Sequence, residues 1–125
     1  MRVNYDHKPS VMEAVGDGTI RFRYDITEVT KPALRDDEQP ITGWDCEELI
    51  IYPPVSSNAL LSSAIAERWP SGREQKLVND YNCTILGLTE GDTANQAINR
   101  YRRFLSDRAQ LKADIEAACL EAGIE

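Results

Sequence analysis

The pair Pro53-Pro54 divides the chain into two parts with different hydrophobic periods. Before the pair, apolar residues alternate with polar ones, as in a strand with one buried face; after it, they recur every three or four positions, as in amphipathic helices. Strands followed by helices are typical of α+β proteins. We therefore predict an α+β fold in which a small antiparallel sheet of two to four strands, from the N-terminal half, packs against two or three C-terminal helices, the last of them long.

The length of 125 residues suits one domain that buries a core without disulfide or metal support. We predict a single domain over residues 1–125, with a strand region at 11–53 and a helical region at 55–123. Residues 1–10 are polar and include Pro9 and Ser10, so we expect this segment to be mobile.

Two strands are predicted most clearly. After a tight turn at Gly16-Asp17-Gly18, apolar and polar residues alternate from Ile20 to Thr27, which places Arg21 and Arg23 on a solvent face. The second strand runs from Trp44 to Tyr52 and ends at the two prolines.

Helix boundaries are also readable from the sequence. Ser56 or Ser57 suits the N-cap of a first helix that ends near Trp69, before Pro70. Ser71-Gly72-Arg73-Glu74 matches a capping box for a second helix, which ends at Gly87.

The longest predicted helix covers residues 93–122 and carries one continuous stripe. Its members follow alternating steps of four and three residues: Ala97, Tyr101, Phe104, Arg108, Leu111, Ile115, Ala118 and Ala122. Such a helix is about 45 Å long, whereas a compact domain of this size is roughly 28–35 Å across. The helix therefore projects, breaks, or pairs with a partner helix. Packing within the fold is the favoured interpretation of the stripe, and an intermolecular seam is the alternative.

The sequence contains no recognisable catalytic constellation. His7 is the only histidine, and Cys46, Cys83 and Cys119 are widely spaced without basic neighbours. The acidic run Asp36-Asp37-Glu38 lacks the spacing of a calcium loop, so a solvated loop is favoured over a cation site. We predict that the chain is not an enzyme and has no catalytic, cofactor or metal site.

The formal net charge of −7 argues against binding to nucleic acid or to anionic lipid, and chiefly favours solubility. Aromatic and arginine residues interleave at 100–104, a pattern seen in single-strand binders. The spacing of Tyr101 and Phe104, however, places the aromatic rings on the core stripe. We see no membrane span and no secretory signal, and we expect a cytoplasmic or virion-associated protein.

Contact with another macromolecule is the remaining function class. The candidate interaction residues are Trp44, Trp69, Arg108, Leu111 and Ile115. Tryptophan and arginine are typical anchors of protein interfaces. The predicted partner is a protein, and a second copy of this chain bound through the C-terminal helix is the alternative.

In the order of these segments, the chain resembles small proteins encoded in phage and prophage tail regions, in particular the XkdW-like group. Over residues 44–122, a strand containing Trp44 ends at prolines, a short helix ends at Trp69, and Leu77-Val78-Asn79-Asp80-Tyr81-Asn82 precedes a helix with Tyr101 and Phe104. The resemblance implies a virion-associated or tail-assembly accessory role without catalytic residues.

We therefore expect a non-catalytic, phage-derived structural or tail-assembly accessory protein that acts through protein–protein contacts. The alternative is an acidic inhibitor that masks a basic or nucleic-acid-binding partner. That alternative needs carboxylates spread over one face, whereas arginines are interspersed among the acidic residues of this chain.

Overall fold

A computed structural model of the protein describes residues 1–32 and 39–125. The predicted α+β fold is confirmed. The elements in chain order are β1 (Arg2–Tyr5), β2 (Met12–Ala14), β3 (Ile20–Lys31), β4 (Ile41–Ile51), α1 (Ser57–Arg68), α2 (Arg73–Ile85) and α3 (Gly91–Ala122). The acidic run Asp36-Asp37-Glu38 lies outside the described residues.

The four strands form one antiparallel sheet in the order β1-β4-β3-β2. The long pair β3 and β4 is central, with Ile20 opposite Ile51 at one end and Lys31 opposite Ile41 at the other. Gly16 and Gly18 both adopt φ 88° in the predicted turn before β3, a conformation that glycine reaches without steric cost.

A β-bulge interrupts the register between Tyr24 and Thr27, and Asp25 adopts a φ of 51° there. A bulge bends a strand and breaks its strict alternation. The expectation that Arg23 lies on a solvent face is wrong, because its side chain is buried beside Glu48 on the neighbouring strand.

The N-terminal segment differs from the expected mobile stretch. β1 pairs with β4 over four residues, Arg2 to Tyr5. The terminal ammonium group donates a hydrogen bond of 3.0 Å to the Glu48 carbonyl oxygen and lies 3.4 Å from the Glu47 carboxylate. These contacts hold the first residues against the sheet. They form along the edge of β4 that does not pair with β3.

Three of the four predicted helix boundaries are confirmed, among them the end of α1 at Arg68, before Pro70. The Ser56 hydroxyl accepts a hydrogen bond of 3.2 Å from the Ala59 backbone amide, as an N-cap of α1 does. Gly87, with φ 76°, follows the end of α2, and the Leu88 amide donates to the Cys83 carbonyl. The capping box at Ser71 is wrong, because Gly72 is the N-cap of α2 and forms no side-chain cap bond.

The chain forms two compact units. The sheet unit comprises Met1–Leu60 and Asp114–Glu125, and the helical unit comprises Leu61–Ala113. The sheet unit buries Phe22, Cys46, Leu49, Leu60, Ile115, Ala118 and Cys119; the helical unit buries Ala64, Ala97, Phe104 and Leu111. The helix α3 is continuous through both sets of residues and does not break.

Candidate functional site

The helical unit carries a groove of about 480 Å³ that combines arginine and aromatic side chains. We call it the arginine groove, and it is lined by Arg68, Trp69, Arg73, Leu77, Arg100, Arg103, Phe104 and Asp107. Its volume falls in the range of sites that accept a ligand or a short segment of a partner.

Three helices supply the groove. Arg68 is the last residue of α1, and the Trp69 amide extends that helix by donating a 2.8 Å hydrogen bond to the Ile65 carbonyl. Arg73 is the first residue of α2. Arg100 and Arg103 lie one turn apart on α3, so their side chains leave the same side of that helix.

Packed aromatic rings form the floor of the groove. The rings of Trp69 and Phe104 meet edge to face, with their centroids 5.1 Å apart. Phe104 also contacts Tyr101, which stacks on Tyr81 at 4.3 Å. Because Phe104 is buried and Trp69 is half-buried, this floor is held in place while part of the indole stays accessible.

The arginines of the groove are exposed and weakly paired. The Arg68 guanidinium lies 5.4 Å from the centre of the Trp69 ring. The Arg103 side chain is 86% exposed, and its Nε atom lies 3.9 Å from an Asp107 carboxylate oxygen, so this ion pair is weak. Within the described part of the chain, Arg73 and Arg100 form no ion pair with a carboxylate. The groove therefore carries four cationic groups and one anionic group, in a protein whose net charge is −7.

A second polar cluster lies inside the sheet unit, around Arg23. Its guanidinium donates to the carboxylates of Glu48 and Glu13, each at 2.9 Å, and to the Ser10 carbonyl at 3.1 Å. The Tyr5 hydroxyl donates a short hydrogen bond to Glu48, and its ring lies 4.7 Å from the guanidinium carbon. Every buried side-chain nitrogen or oxygen of the described residues has a hydrogen-bond partner. The hydrogen bonds of this cluster are therefore satisfied within the fold, as in a polar network that stabilises the structure.

The pKa values of this cluster follow from its contacts. Burial opposes ionisation of Glu48, but hydrogen bonds from Tyr5 and Arg23 outweigh it and hold the pKa of the carboxyl below its ordinary value. Burial and the hydrogen bond to Glu48 raise the pKa of the Tyr5 hydroxyl. The resulting charge states, an ionised Glu48 and a neutral Tyr5, are those that the hydrogen bonds require.

The predicted interaction residues do not form one site. Trp69 lines the arginine groove, whereas Trp44 is half-buried in the sheet unit with the Lys8 ammonium 5.7 Å from its ring. Arg108 is exposed and borders a separate, mainly apolar depression of about 300 Å³ on the helical unit. That depression is lined by Leu61, Ile65, Leu105, Arg108, Ala109 and Lys112.

Leu111 and Ile115 are not available as contact residues. Each is 1% exposed and belongs to the core of its unit. Their place in the 3-4 stripe signals burial within the chain, which was the favoured interpretation of that stripe. A homomeric seam through these two residues would require them to leave the core, so they are withdrawn as candidates for an interface.

The remaining reactive groups are dispersed. Burial raises the pKa of the Cys46 and Cys119 thiols, as expected for unreactive core cysteines. His7 contacts the Tyr5 ring. Among residues 1–32 and 39–125, no three His, Cys, Asp or Glu side chains are grouped so that they could hold a metal ion. None of the helices described is long and apolar enough to cross a membrane.

Sequence reasoning missed Arg68 and Arg73. Both flank the short connection Trp69-Pro70-Ser71-Gly72, which suggested only helix ends and a cap. Of the aromatic members of the interleaved pattern at 100–104, Phe104 is buried and Tyr101 is half-buried, as their place on the core stripe predicts. The signal that could have found the groove is the presence of arginines on both sides of an interface-type tryptophan.

No family model, no curated protein and no solved structure matches this chain. The resemblance to XkdW-like tail-region proteins therefore stays a prediction from the sequence.

Proposed function

We propose that this chain is a non-catalytic, phage-derived tail accessory protein that binds another protein through the arginine groove. The observation that carries the proposal is the composition of the groove, in which exposed arginines surround a packed Trp69–Phe104 pair. Tryptophan and arginine are enriched among the residues that dominate protein–protein binding energy. The tail assignment comes from the sequence resemblance, and the contact surface comes from the groove.

The geometry favours this function over masking of a basic partner. A protein that masks a basic surface presents carboxylates to it, since like charges placed opposite each other oppose association. The arginine groove presents guanidinium groups instead, and only Asp107 among its lining residues is acidic.

The proposal is tested with purified tail and baseplate proteins from the phage or prophage that encodes the chain. Binding is measured by biolayer interferometry for the wild type and for Arg100→Glu and Arg102→Glu. Both arginines are exposed and lie on α3, but Arg102 does not line the groove, so it is the matched control for the change in charge. We expect at least one tail protein to bind the wild type and Arg102→Glu, and to lose about tenfold or more in affinity for Arg100→Glu.

Two results would overturn the proposal in different ways. If a tail protein binds all three proteins equally, the groove is not the contact surface. If no tail or baseplate protein binds the wild type, or the gene has no phage genes beside it, the tail accessory role is wrong.

A further inference from the structure

We infer that the arginine groove recognises an acidic peptide segment that carries both carboxylate and apolar side chains. This inference rests on the proposed function, because it specifies the chemistry of the protein that the groove binds. It is argued from the charge of the groove, the nature of its floor and the start of α2.

The charge of the groove selects an anionic partner. Four guanidinium groups and one carboxylate line it, and the Arg103–Asp107 contact at 3.9 Å engages only one of the four cations, at an exposed position. Exposed pairs of this kind contribute little and exchange readily. Arginine presents a planar set of donors that matches a carboxylate with two parallel hydrogen bonds. Carboxylates of a partner can therefore replace water on these groups at little cost.

The start of α2 adds to the positive potential. Gly72, the N-cap, has no side chain, and no side chain among the described residues caps the first turn of α2. Of the first backbone amides, that of Arg73 donates to the Pro70 carbonyl at 3.0 Å. The amino end of a helix carries a partial positive charge that favours anions within its first turn. Arg73, the first residue of this helix, lines the groove.

The floor of the groove selects a partner with apolar side chains. Leu77, Trp69 and Phe104 provide apolar surface between the arginines. A segment that carries both acidic and apolar side chains therefore presents both classes of side chain that the groove can bind.

An acidic peptide matches the whole lining of the groove better than a free phosphate does. A phosphate can pair with the guanidinium groups, but it brings no apolar side chain to the surface of Leu77, Trp69 and Phe104 between them. A nucleic-acid strand is also disfavoured, because its affinity depends on many basic contacts along the backbone and the chain carries a net charge of −7. An acidic protein segment is the occupant to which the groove is best matched.

The inference is tested by fluorescence anisotropy with a fluorescein-labelled peptide in which Glu alternates with Leu. The comparison peptide has Gln at every Glu position. We expect the wild type to bind the Glu peptide at least about tenfold more tightly than the Gln peptide, since each charge-assisted hydrogen bond is strong enough for a change of this size. Arg100→Gln should weaken binding of the Glu peptide about tenfold, whereas Arg102→Gln should leave it within about twofold.

Competition experiments separate the occupants. Inorganic phosphate and oligothymidylate are added to the complex with the Glu peptide at matched ionic strength, because salt alone weakens exposed ionic contacts. Weak competition by both supports the inference. Stronger competition by either, equal binding of the Glu and Gln peptides, or equal losses in Arg100→Gln and Arg102→Gln would overturn it.

The two proposals fail separately. If a tail protein binds through the groove but the Glu peptide does not, the acidic chemistry of the partner is wrong and the accessory function stands. If the Glu peptide binds through the groove but no tail protein does, recognition of acidic segments stands and the tail role is wrong.

Discussion

Glu48 keeps a negative charge inside the sheet unit because its carboxylate accepts hydrogen bonds from Arg23 and Tyr5. Arg23 and Glu48 form an ion pair in which both side chains are buried, with 4% and 7% of their surface exposed. Removal of the Glu48 charge takes away one of the two carboxylates that pair with Arg23, in a poorly solvated place, which is costly. The contribution of this pair is therefore best examined by neutralising Glu48.

We predict that Glu48→Gln lowers the free energy of unfolding by about 3 kcal/mol at neutral pH, the lower end of the range for a broken buried ion pair. The folded protein holds the pKa of Glu48 below the unfolded value of 4.5, so the unfolded chain binds the proton more readily. Stability from Glu48 is therefore present above pH 4.5 and is lost as pH falls through the lower pKa of the folded state. Urea titrations across this pH range measure both effects.

Glu13 provides the matched control, since it bonds the same guanidinium at 2.9 Å but its side chain is 51% exposed. Glu13→Gln should cost much less than Glu48→Gln, because water can replace the exposed carboxylate. The acid-side loss of stability should be shallower in Glu48→Gln than in the wild type. Two results would contradict the structural role of this pair. One is a loss of stability at low pH in Glu48→Gln as large as in the wild type, and the other is equal destabilisation by Glu13→Gln and Glu48→Gln.

At the scale of single residues, the sequence predicts types of environment better than it predicts partners. The alternation from Ile20 to Tyr24 correctly indicates that Phe22 and Tyr24 are buried. It fails at Arg23, because the hydrogen-bond partners of that residue come from distant positions in three other segments, β1, β2 and β4. A period of two cannot reveal those partners.

Among the elements, the start of α2 shows how a backbone conformation replaces a side-chain cap. Gly72 has a φ of 90°, and a methyl group added to it would meet no atom within 4 Å. The effect of a substitution there therefore reports the backbone conformation alone. Ser71, which matched a capping box in the sequence, makes no cap bond.

We predict that Gly72→Ala lowers the free energy of unfolding by about 1 to 2 kcal/mol, the cost of the left-handed conformation for a residue with a Cβ atom. Ser71→Ala should change it by less than about 0.5 kcal/mol, as at surface positions without special contacts. Chemical denaturation of the two variants measures both values. A loss of about 1 kcal/mol in Ser71→Ala, as for a true cap, together with no loss in Gly72→Ala, would contradict the observed start of α2.

The types and order of the helices and strands were predictable. They depend on the local spacing of apolar residues and on proline and glycine residues that end helices and strands. The helices after Pro53-Pro54 and the strands β3 and β4 follow from these signals. β1 was not predictable, since its pairing depends on the open edge of β4 and not on its own sequence. Capping at Ser71 failed for a related reason: a motif permits a hydrogen bond, but the path of the chain decides whether it forms.

At the scale of the whole molecule, the arginine groove arises from three separated stretches of sequence. The end of α1, the start of α2 and the middle of α3 each contribute cations, and no single stretch supplies all four of them. The sequence could supply Trp69 as a candidate, but it could not bring Arg68 and Arg100 to one surface. Functional sites built from several elements need the tertiary arrangement, whereas the fold class needs only local patterns.

The continuity of α1 and α3 leads to a prediction about cooperativity. Each helix contributes residues to both compact units, so unfolding of one unit would truncate both helices and leave backbone groups at the new helix ends without helical partners. The chain has two tryptophans, Trp44 in the sheet unit and Trp69 in the helical unit. In Trp69→Phe the remaining tryptophan reports the sheet unit, and in Trp44→Phe it reports the helical unit. We expect one transition for the whole chain, as single domains under 150 residues usually show.

The measurement compares two probes within each variant, because each Phe substitution changes stability by its own amount. In both variants, the urea midpoint from tryptophan fluorescence should coincide with the midpoint from far-ultraviolet circular dichroism, which reports the helices α1, α2 and α3 together. A fluorescence midpoint that departs from the dichroism midpoint in either variant would mean that the units unfold separately. In that case residues 1–125 would be two cooperative units joined by shared helices, and the prediction of a single domain would be wrong.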